Sequence, residues 1–499
     1  MGEKSNKAKP NVLWIGVDQM RADTPGANGN EICRTPNIDE LADEGVNFTN
    51  AYTTCSLCSP SRASMFTGVH AFTHGMGTNC DLYHSLSPEL EDPNLLLHHE
   101  LAEAGYNLGY VGKWHVGTKK GPVDYGFEGM NEPGYGEIKK NRGFLDYLEK
   151  NDLSYGEVEK PVYTNPDEKT LTGGIWGGPT RSTPSAYLAD YTVELLEEYS
   201  EQEEPFFLTC QFWGPHMPHL PSPEFHGAHN RGDIEPWENY RDDFTDKPVR
   251  LKRERRDFYR SLPEDWSGWA EIVGLYYDFT TMIDYQVGRI VNRLEELGLI
   301  EDTIIVFTSD HGDMTGSHGC LFDKGYMYEE AHRVPLIFRF PQRFGSGVQK
   351  EELIYNMDIM PTILDMIGID KNFPEAESLL SLLAGSNEEN WRDELYMEFH
   401  GLRALYTQRA LLAEDGYKYI FTPGDFDECY DLNSDPAEMN NLIDSSGEEE
   451  KIEDLRERVR AAAYRTKDPI RDYVSKLFGS WEDLSGQVDA SNQWLKESR

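Results

Sequence analysis

The sequence predicts an α/β fold: a large mixed, mostly parallel sheet sandwiched by helices, followed by a smaller C-terminal α+β subdomain. Three observations carry this. Compact apolar runs near Asn11–Val17, Phe206–Phe212 and Thr303–Thr308 read as strands buried on both faces. Helical segments alternate with them, the pattern of a layered α/β domain. After about residue 400 the style changes to short β-like pieces and one acidic helix. The chain is therefore divided into residues 1–400, a large α/β domain, and 401–499, a subdomain with a short antiparallel sheet and a helix.

In chain order, the first strand delivers Asp18 and Gln19 at its carboxyl end, where open α/β sheets place their ligands. Thr35-Pro36 opens a helix through Leu41 and Ala42 that Gly45 stops. A short helix carrying Pro60 and Arg62 follows, then one from Asn94 to about Ala104. Leu108–Val111 is a strand leading into Gly112-Lys113-Trp114-His115. Residues 120–180, rich in Gly, Pro and Asn, read as loops around a substrate pocket. The spacing of Leu188, Tyr191, Leu195 and Leu196 marks a helix over Ser185–Tyr199. The next strand ends in Gly214-Pro215-His216-Met217-Pro218-His219. Arg250–Arg256 is the one basic cluster, read as a solvated or internally paired surface. A long helix over Trp269–Leu297 precedes the strand that delivers Ser309-Asp310-His311-Gly312. Lys324 lies in the loop beyond, before a strand at Val334–Phe340 and a helix at Asp358–Ile367. Ala410–Ala413 and Tyr417–Phe421 are β-like, and Glu448–Ala463 is the acidic helix.

The 499 residues, 38% of them hydrophobic, can bury a large core. With 88 acidic residues against 47 basic ones, the net charge is −41. That field excludes nucleic acid and anionic membrane surfaces as partners. It also repels an anionic substrate, so a site for one must be locally cationic. Met1-Gly2-Glu3-Lys4-Ser5-Asn6-Lys7 opens no apolar signal segment, and no stretch approaches a membrane span. Seven cysteines without framework spacing fit a reducing compartment, so the expected location is the cytoplasm. Oligomeric state is not legible.

Ser56-Leu57-Cys58-Ser59-Pro60-Ser61-Arg62-Ala63-Ser64-Met65-Phe66-Thr67-Gly68 is the stretch with the most chemistry. Pro60 suits a first helical position and Ser59 a cap, which leaves Cys58 just outside the helix N-terminus, where an anion is favoured. Arg62 follows one turn later on the same face. Cys55 and Cys58 form a Cys-x-x-Cys, but no second pair or thioredoxin-like context supports a zinc or redox reading.

Every position from Ser56 to Gly68 fits the signature of the type I sulfatases, and the chain resembles that family, within the alkaline phosphatase superfamily. The resemblance implies an alkaline phosphatase-like fold. It also implies that a maturation enzyme, reading Cys-x-Pro-x-Arg, converts Cys58 to formylglycine, an aldehyde that hydrates to a geminal diol. Asp18, Gln19, Asp310 and His311 are an oxygen-rich set that favours Ca²⁺, Mg²⁺ or Mn²⁺. In the family these positions hold one divalent ion, most often Ca²⁺, together with an oxygen of the modified Cys58. Gln19 in place of an aspartate and His311 in place of an asparagine resemble the branch of choline-sulfatases and phosphonate monoester hydrolases.

Lys113 and His115 resemble the second sulfatase signature, with Leu108 where Ser or Thr is usual. Two apart in a strand, they would share a face. His216 in Pro-His-x-Pro and Lys324 in Lys-Gly-x-x-Tyr-Glu match further family positions, and Asn79 resembles an anion-contacting asparagine. His219 is read as structural. The resemblance implies covalent catalysis, with attack on sulfur by one hydroxyl of the diol. Arg62, Lys113, Lys324 and the metal stabilise the sulfuryl oxygens, His216 with Lys324 protonates the departing oxygen, and His115 takes the proton of the second hydroxyl. The expected substrate is a sulfate monoester of a sugar or other small organic alcohol. Trp176, Trp237 and Trp266 are candidates either to stack on a sugar or aryl group or to pack internally. The alternative is a phosphonate or phosphate ester hydrolase of the same superfamily. A non-catalytic, metal-loaded binding protein with unmodified Cys58 is the remaining reading.

Overall fold

Strand β1, Asn11–Asp18, runs through the centre of the molecule with both faces covered. Its alternate residues point to opposite layers, as a pleat requires. Val12 and Trp14 enter one core with Val306 and Phe338, while Leu13, Ile15 and Val17 enter another with Ile305 and Phe307. In this computed structural model residues 9–473 are described, apart from 84, 166–169, 260, 387–390 and 404–405. The N-terminal segment Met1–Lys7 therefore lies outside the described residues.

Further strands are β2 Val46–Tyr52, β3 Asn107–Gly112, β4 Glu128–Gly129, β5 Val158–Asn165, β6 Thr170–Trp176, β7 Phe206–Pro215, β8 Thr303–Ser309, β9 Arg333–Arg339, β10 Val348–Lys350 and β11 Ile354–Tyr355. The main sheet has the order β10-β2-β9-β8-β1-β7-β3-β4, with β11 pairing β2. β1 is parallel to both neighbours, and β3 to β7; β9 alone runs antiparallel, to β8 and to β2. Helices Pro36–Asp43, Pro184–Ser200 and Trp266–Glu296 cover one face. Cys58–Thr67 and Ile359–Met366 cover the other. A second, antiparallel sheet of four strands follows: β12 Glu394–Phe399, β13 Gln408–Ala413, β14 Tyr417–Phe421 and β15 Glu428–Asp431. Helix Glu449–Arg465 packs Leu455, Val459 and Ala462 against Leu411 and Tyr419 of that sheet.

The structure corrects two of these expectations and adds a strand. The 120–180 stretch is not all loop: it contains the helix Arg142–Lys150, capped by Asn141, and the β5–β6 hairpin. That hairpin is a two-stranded sheet of its own, so it tolerates the Pro and glycines that a central strand would not. Strand β2 went unread because Asn and Thr interrupt its apolar residues. The helix expected from Asn94 shrinks to His98–Glu103, because a 3₁₀ turn occupies Pro93–Leu95. Of the two roles open to Trp237 and Trp266, packing is the one observed: they lie against each other with centroids 5.9 Å apart. The basic cluster lies on the helix Val249–Asp257 and is internally paired as expected: Arg250 meets Gln408 and Tyr406, and Arg256 meets Asp257. No helix among the described residues is long and apolar enough to cross a membrane.

Candidate active site

The polar groups singled out in the sequence converge at the carboxyl ends of β1, β3, β7 and β8, beside the helix Cys58–Thr67. That helix begins two residues earlier than the Pro60 rule suggests: Leu57 is the cap residue and Cys58 is the first helical residue. Ser59 does not cap it. Its hydroxyl accepts from Cys80 N at 3.1 Å, while its own N–H donates to Asn79 Oδ1 at 3.1 Å. Asn79 thus reaches the helix N-terminus through its side-chain oxygen.

Cys58 Sγ lies 3.2 Å from His311 Nε2 and 3.7 Å from Asp18 Oδ1. Burial alone would raise this thiol; Lys113, Lys324 and His311 outweigh burial and hold it well below its ordinary range. Asp18 and Asp310 are displaced in opposite directions. Burial and the neighbouring Asp18 push Asp310 up. Asp18 also feels burial and Cys58, yet Lys113, His216 and Lys324 hold it at about 2. Such a split is what two acids sharing one site produce.

Arg62 sits one turn along, wholly buried, as its spacing from Cys58 predicts. Its Nε donates to Asp310 Oδ2 at 2.9 Å and its Nη1 to Lys113 O and Gln211 Oε1. Its Nη2 is buried without a partner. Lys113 and His115 are brought together, but not by strand alternation. β3 ends at Gly112, and His115 takes a left-handed φ of 57°. Lys113 Nζ reaches Asp18 Oδ2 at 2.5 Å. His115 Nε2 lies 3.1 Å from Asp81 Oδ1. Burial and Lys113 oppose protonation of His115, yet Asp81, Cys58 and Cys80 raise it to about 10.

His216 Nδ1 donates to the Met217 carbonyl at 2.6 Å, since a carbonyl can only accept. Its Nε2 is therefore free to accept from the Lys324 ammonium, which it touches. Lys324 also donates to Gln19 Oε1 at 2.7 Å. The Gln19 amide is oriented from behind, its Nε2 donating to Asp313 Oδ2 at 2.5 Å. His219 is structural as read: its Nδ1 donates to Pro215 O at 2.9 Å, and burial lowers it to about 3.

Sequence reasoning missed Asp81, Asp313 and Tyr135. Asp313 carried a signal, three residues after Asp310 in one run; Asp81 stood two residues from Asn79. Tyr135 carried none, being one aromatic in a Gly-rich loop. Its ring lies 4.4 Å from Lys113 Nζ and against His115 and His216. Beside His216 opens a cavity of about 300 Å³, lined by Tyr135, Tyr155, Trp176, Trp213 and Met217. The 120–180 stretch thus does reach the site, through Tyr135, Tyr155 and Trp176.

The donor set fits one divalent cation. Ligand atoms of Asp18, Cys58, Asp310 and His311 lie within 4.8 Å of one another, all buried. His311 Nδ1 donates to Gly312 O at 2.8 Å, which leaves the Nε2 lone pair facing both carboxylates. A backbone carbonyl fixing the tautomer of a ligating imidazole is the usual outer-shell arrangement.

Residues 10–369 match the family model described as Sulfatase. The chain belongs to the sulfatase family. It is a type I sulfatase of the alkaline phosphatase superfamily, an enzyme that hydrolyses sulfate esters. Residues 316–465 of this sulfatase also match the model described as N-sulphoglucosamine sulphohydrolase, C-terminal. An arylsulfatase of Clostridium perfringens is 31% identical over 90% of this chain and 93% of its own length. Two solved structures share the fold. One, in complex with its substrate D-glucosamine-2-N,6-O-disulfate, has a TM-score of 0.71 and 22% identity, covering 93% of this chain and 99% of that one. The other, a phosphonate monoester hydrolase of Agrobacterium radiobacter, has a TM-score of 0.71 and 24% identity, covering 90% and 96%.

Proposed function

We propose that this sulfatase acts through a formylglycine made from Cys58 by a maturation enzyme, with one divalent cation, Ca²⁺ before Mn²⁺ or Mg²⁺, held by Asp18, Gln19, Asp310 and His311 and by the modified Cys58. The single observation that carries this is the convergence of those side chains on Cys58 under Arg62, Lys113 and Lys324. When present, the cation supplies a Lewis acid and the hydrated aldehyde supplies the nucleophilic oxygen. The chain's own residues do the rest. Arg62, with its free Nη2, Lys113 and Lys324 bind the three sulfuryl oxygens and counter their charge. These cations also meet the requirement set by a net charge of −41, that the site be locally positive. Asn79 orients the sulfuryl group at the helix N-terminus. Lys324 holds a proton at His216 Nε2, so this pair can deliver one to the departing oxygen. His115, braced by Asp81, is the base at the Cys58 position; the Cys58 thiolate that helps hold a proton on it is gone once Cys58 is oxidised.

The proposed substrate is the sulfate ester of a sugar or another small organic alcohol. The solved relative with a disulfated glucosamine supports a glycan, and the aromatic cavity beside His216 offers faces for a sugar ring or an aryl group. The proposed division near residue 400 puts the antiparallel sheet and last helix in a subdomain. All seven cysteines are unpaired, which supports a reducing, cytoplasmic setting.

A second reading, a phosphonate or phosphate ester hydrolase, is favoured by Gln19 and His311. Lys113 and His115, both turned into the site, favour the sulfate. The test is turnover of one aryl sulfate beside the matching aryl phosphonate and phosphate, after co-expression with a maturation enzyme and supply of Ca²⁺ or Mn²⁺. The sulfate should be preferred, and a chelator should remove activity that either ion restores. Preference for the phosphorus esters would overturn the reading.

A further inference from the structure

Beside the catalytic centre lies a second group of ligand-type side chains with a different chemistry. Cys80 Sγ, a ring nitrogen of His115 and a carboxylate oxygen of Asp81 lie within 4.8 Å of one another. We propose that Cys80, Asp81 and His115 form an inhibitory site for a thiophilic divalent cation, Zn²⁺, separate from the centre built on Asp18.

Donor chemistry separates the two sites. The Asp18 centre is rich in oxygen, which suits hard cations, whereas one sulfur, one nitrogen and one oxygen suit zinc. Zinc bonds of about 2.0–2.3 Å need these atoms to close by only about 1 Å. The backbone is already fixed: Cys80 N donates to Ser59 Oγ at 3.1 Å, and His115 N donates to Gly134 O at 2.9 Å. The Cys80 thiol already faces His115, bonding weakly to its carbonyl at 3.6 Å and lying against its ring, and a thiolate gives up the bond to the carbonyl at little cost. His115 Nδ1 is buried without a partner, so the ring can keep its Nδ1 proton while Nε2 loses its own to make room for the cation. Cys80 and His115 are almost wholly buried, at 2% and 1% exposure, while the Asp81 side chain is 41% exposed and gives the ion a way in. Binding would release the Cys80 thiol proton and the His115 Nε2 proton to solvent and form three metal–ligand bonds. The imidazole lone pair would then be held by the cation and unavailable to a proton. The inhibition rests on the reading of His115 as the base; the binding does not.

The experiment compares the matured, Ca²⁺-loaded wild type with Cys80→Ser, each against its own zinc-free turnover. Zinc bound per chain is measured by equilibrium dialysis with metal analysis, and inhibition by turnover of an aryl sulfate. Cys80→Ser should bind one zinc fewer and require about tenfold more zinc or above for half inhibition of its own zinc-free turnover, the lower end of the loss seen even for outer-shell partners. Asp81→Asn must weaken zinc binding in the same dialysis, which covers a failure of Cys80→Ser to fold. Equal inhibition of both proteins, or relief by excess Ca²⁺, would place the zinc at the Asp18 centre and overturn the proposal. Zinc bound through Cys80 with turnover unchanged would overturn the inhibitory role and count against His115 as the base.

Discussion

Two buried histidine–carboxylate clusters in this molecule use their charge in opposite ways. Around Cys58, the carboxylates Asp18 and Asp310 crowd together, and Arg62 keeps a buried Nη2 without a partner. Around His318, where the loops of the large sheet meet the small one, charges are paired off internally. Lys247 donates to Asp242 at 2.7 Å and His318 Nδ1 lies 3.0 Å from the same carboxylate. Lys418 lies 2.9 Å from Glu438 and 3.0 Å from Glu329, and His318 Nε2 lies 3.5 Å from Glu330. Charge consumed inside the protein holds two sheets together; charge left over at strand ends is what a cation and an anionic ester can use.

The comparison is broken most directly at Cys58. Cys58→Ala should abolish turnover of every sulfate ester while costing no more than about 1 kcal/mol in denaturant unfolding, the centre of the range for point mutants. Turnover near the wild-type level would sink the covalent mechanism. A collapse in stability would show that the catalytic cluster is structural after all. The converse variant is Lys418→Met. It strips the cation from two carboxylates, one of them wholly buried, and should cost about 3–5 kcal/mol, the penalty for breaking a buried pair from one side. The kcat per folded molecule should stay unchanged. Unaltered stability would mean that the His318 cluster carries no net load.

How much of this was legible in the sequence differs between the clusters for a physical reason. Asp18, Asp310 and His216 follow apolar strand runs, so topology alone places them at one edge of the sheet. Cys58 and Arg62 are joined by helix geometry at fixed spacing. The His318 cluster has no such rule. Its members, spread from residue 239 to 438, meet only through the packing of one sheet on another. Asp81 and Asp313 fall between the cases: each stands near a readable residue, but only the tertiary contacts to His115 and Gln19 reveal its task. Strand β2 was hidden because Asn47, Thr49 and Asn50 interrupt its apolar residues, although β9 and β10 pair it on both sides.

A third buried carboxylate sharpens the rule that cations decide. Asp284, on the helix Trp266–Glu296, accepts from Ile38 N at 2.8 Å, Asn37 N at 3.1 Å and Asn37 Nδ2 at 2.7 Å, so it closes the start of the helix Pro36–Asp43. All these donors are neutral. Burial therefore prevails over the hydrogen bonds and pushes Asp284 up to about 6, where Asp18 with its lysines stays at about 2. The folded protein then keeps a proton that the unfolded chain, with its ordinary value of 3.8, has released. Its contribution to stability is fully present below pH 3.8 and is lost as the pH rises through about 6. Asp284→Asn cannot ionise and does not share that loss. Its stability relative to wild type should climb by on the order of 2 kcal/mol between about pH 4 and pH 6 and level off above. The measurement is urea unfolding of both proteins across that range. A difference that stays flat would mean that the amide donors and the helix N-terminus alone keep Asp284 ionised, and that a buried carboxylate here needs no cation.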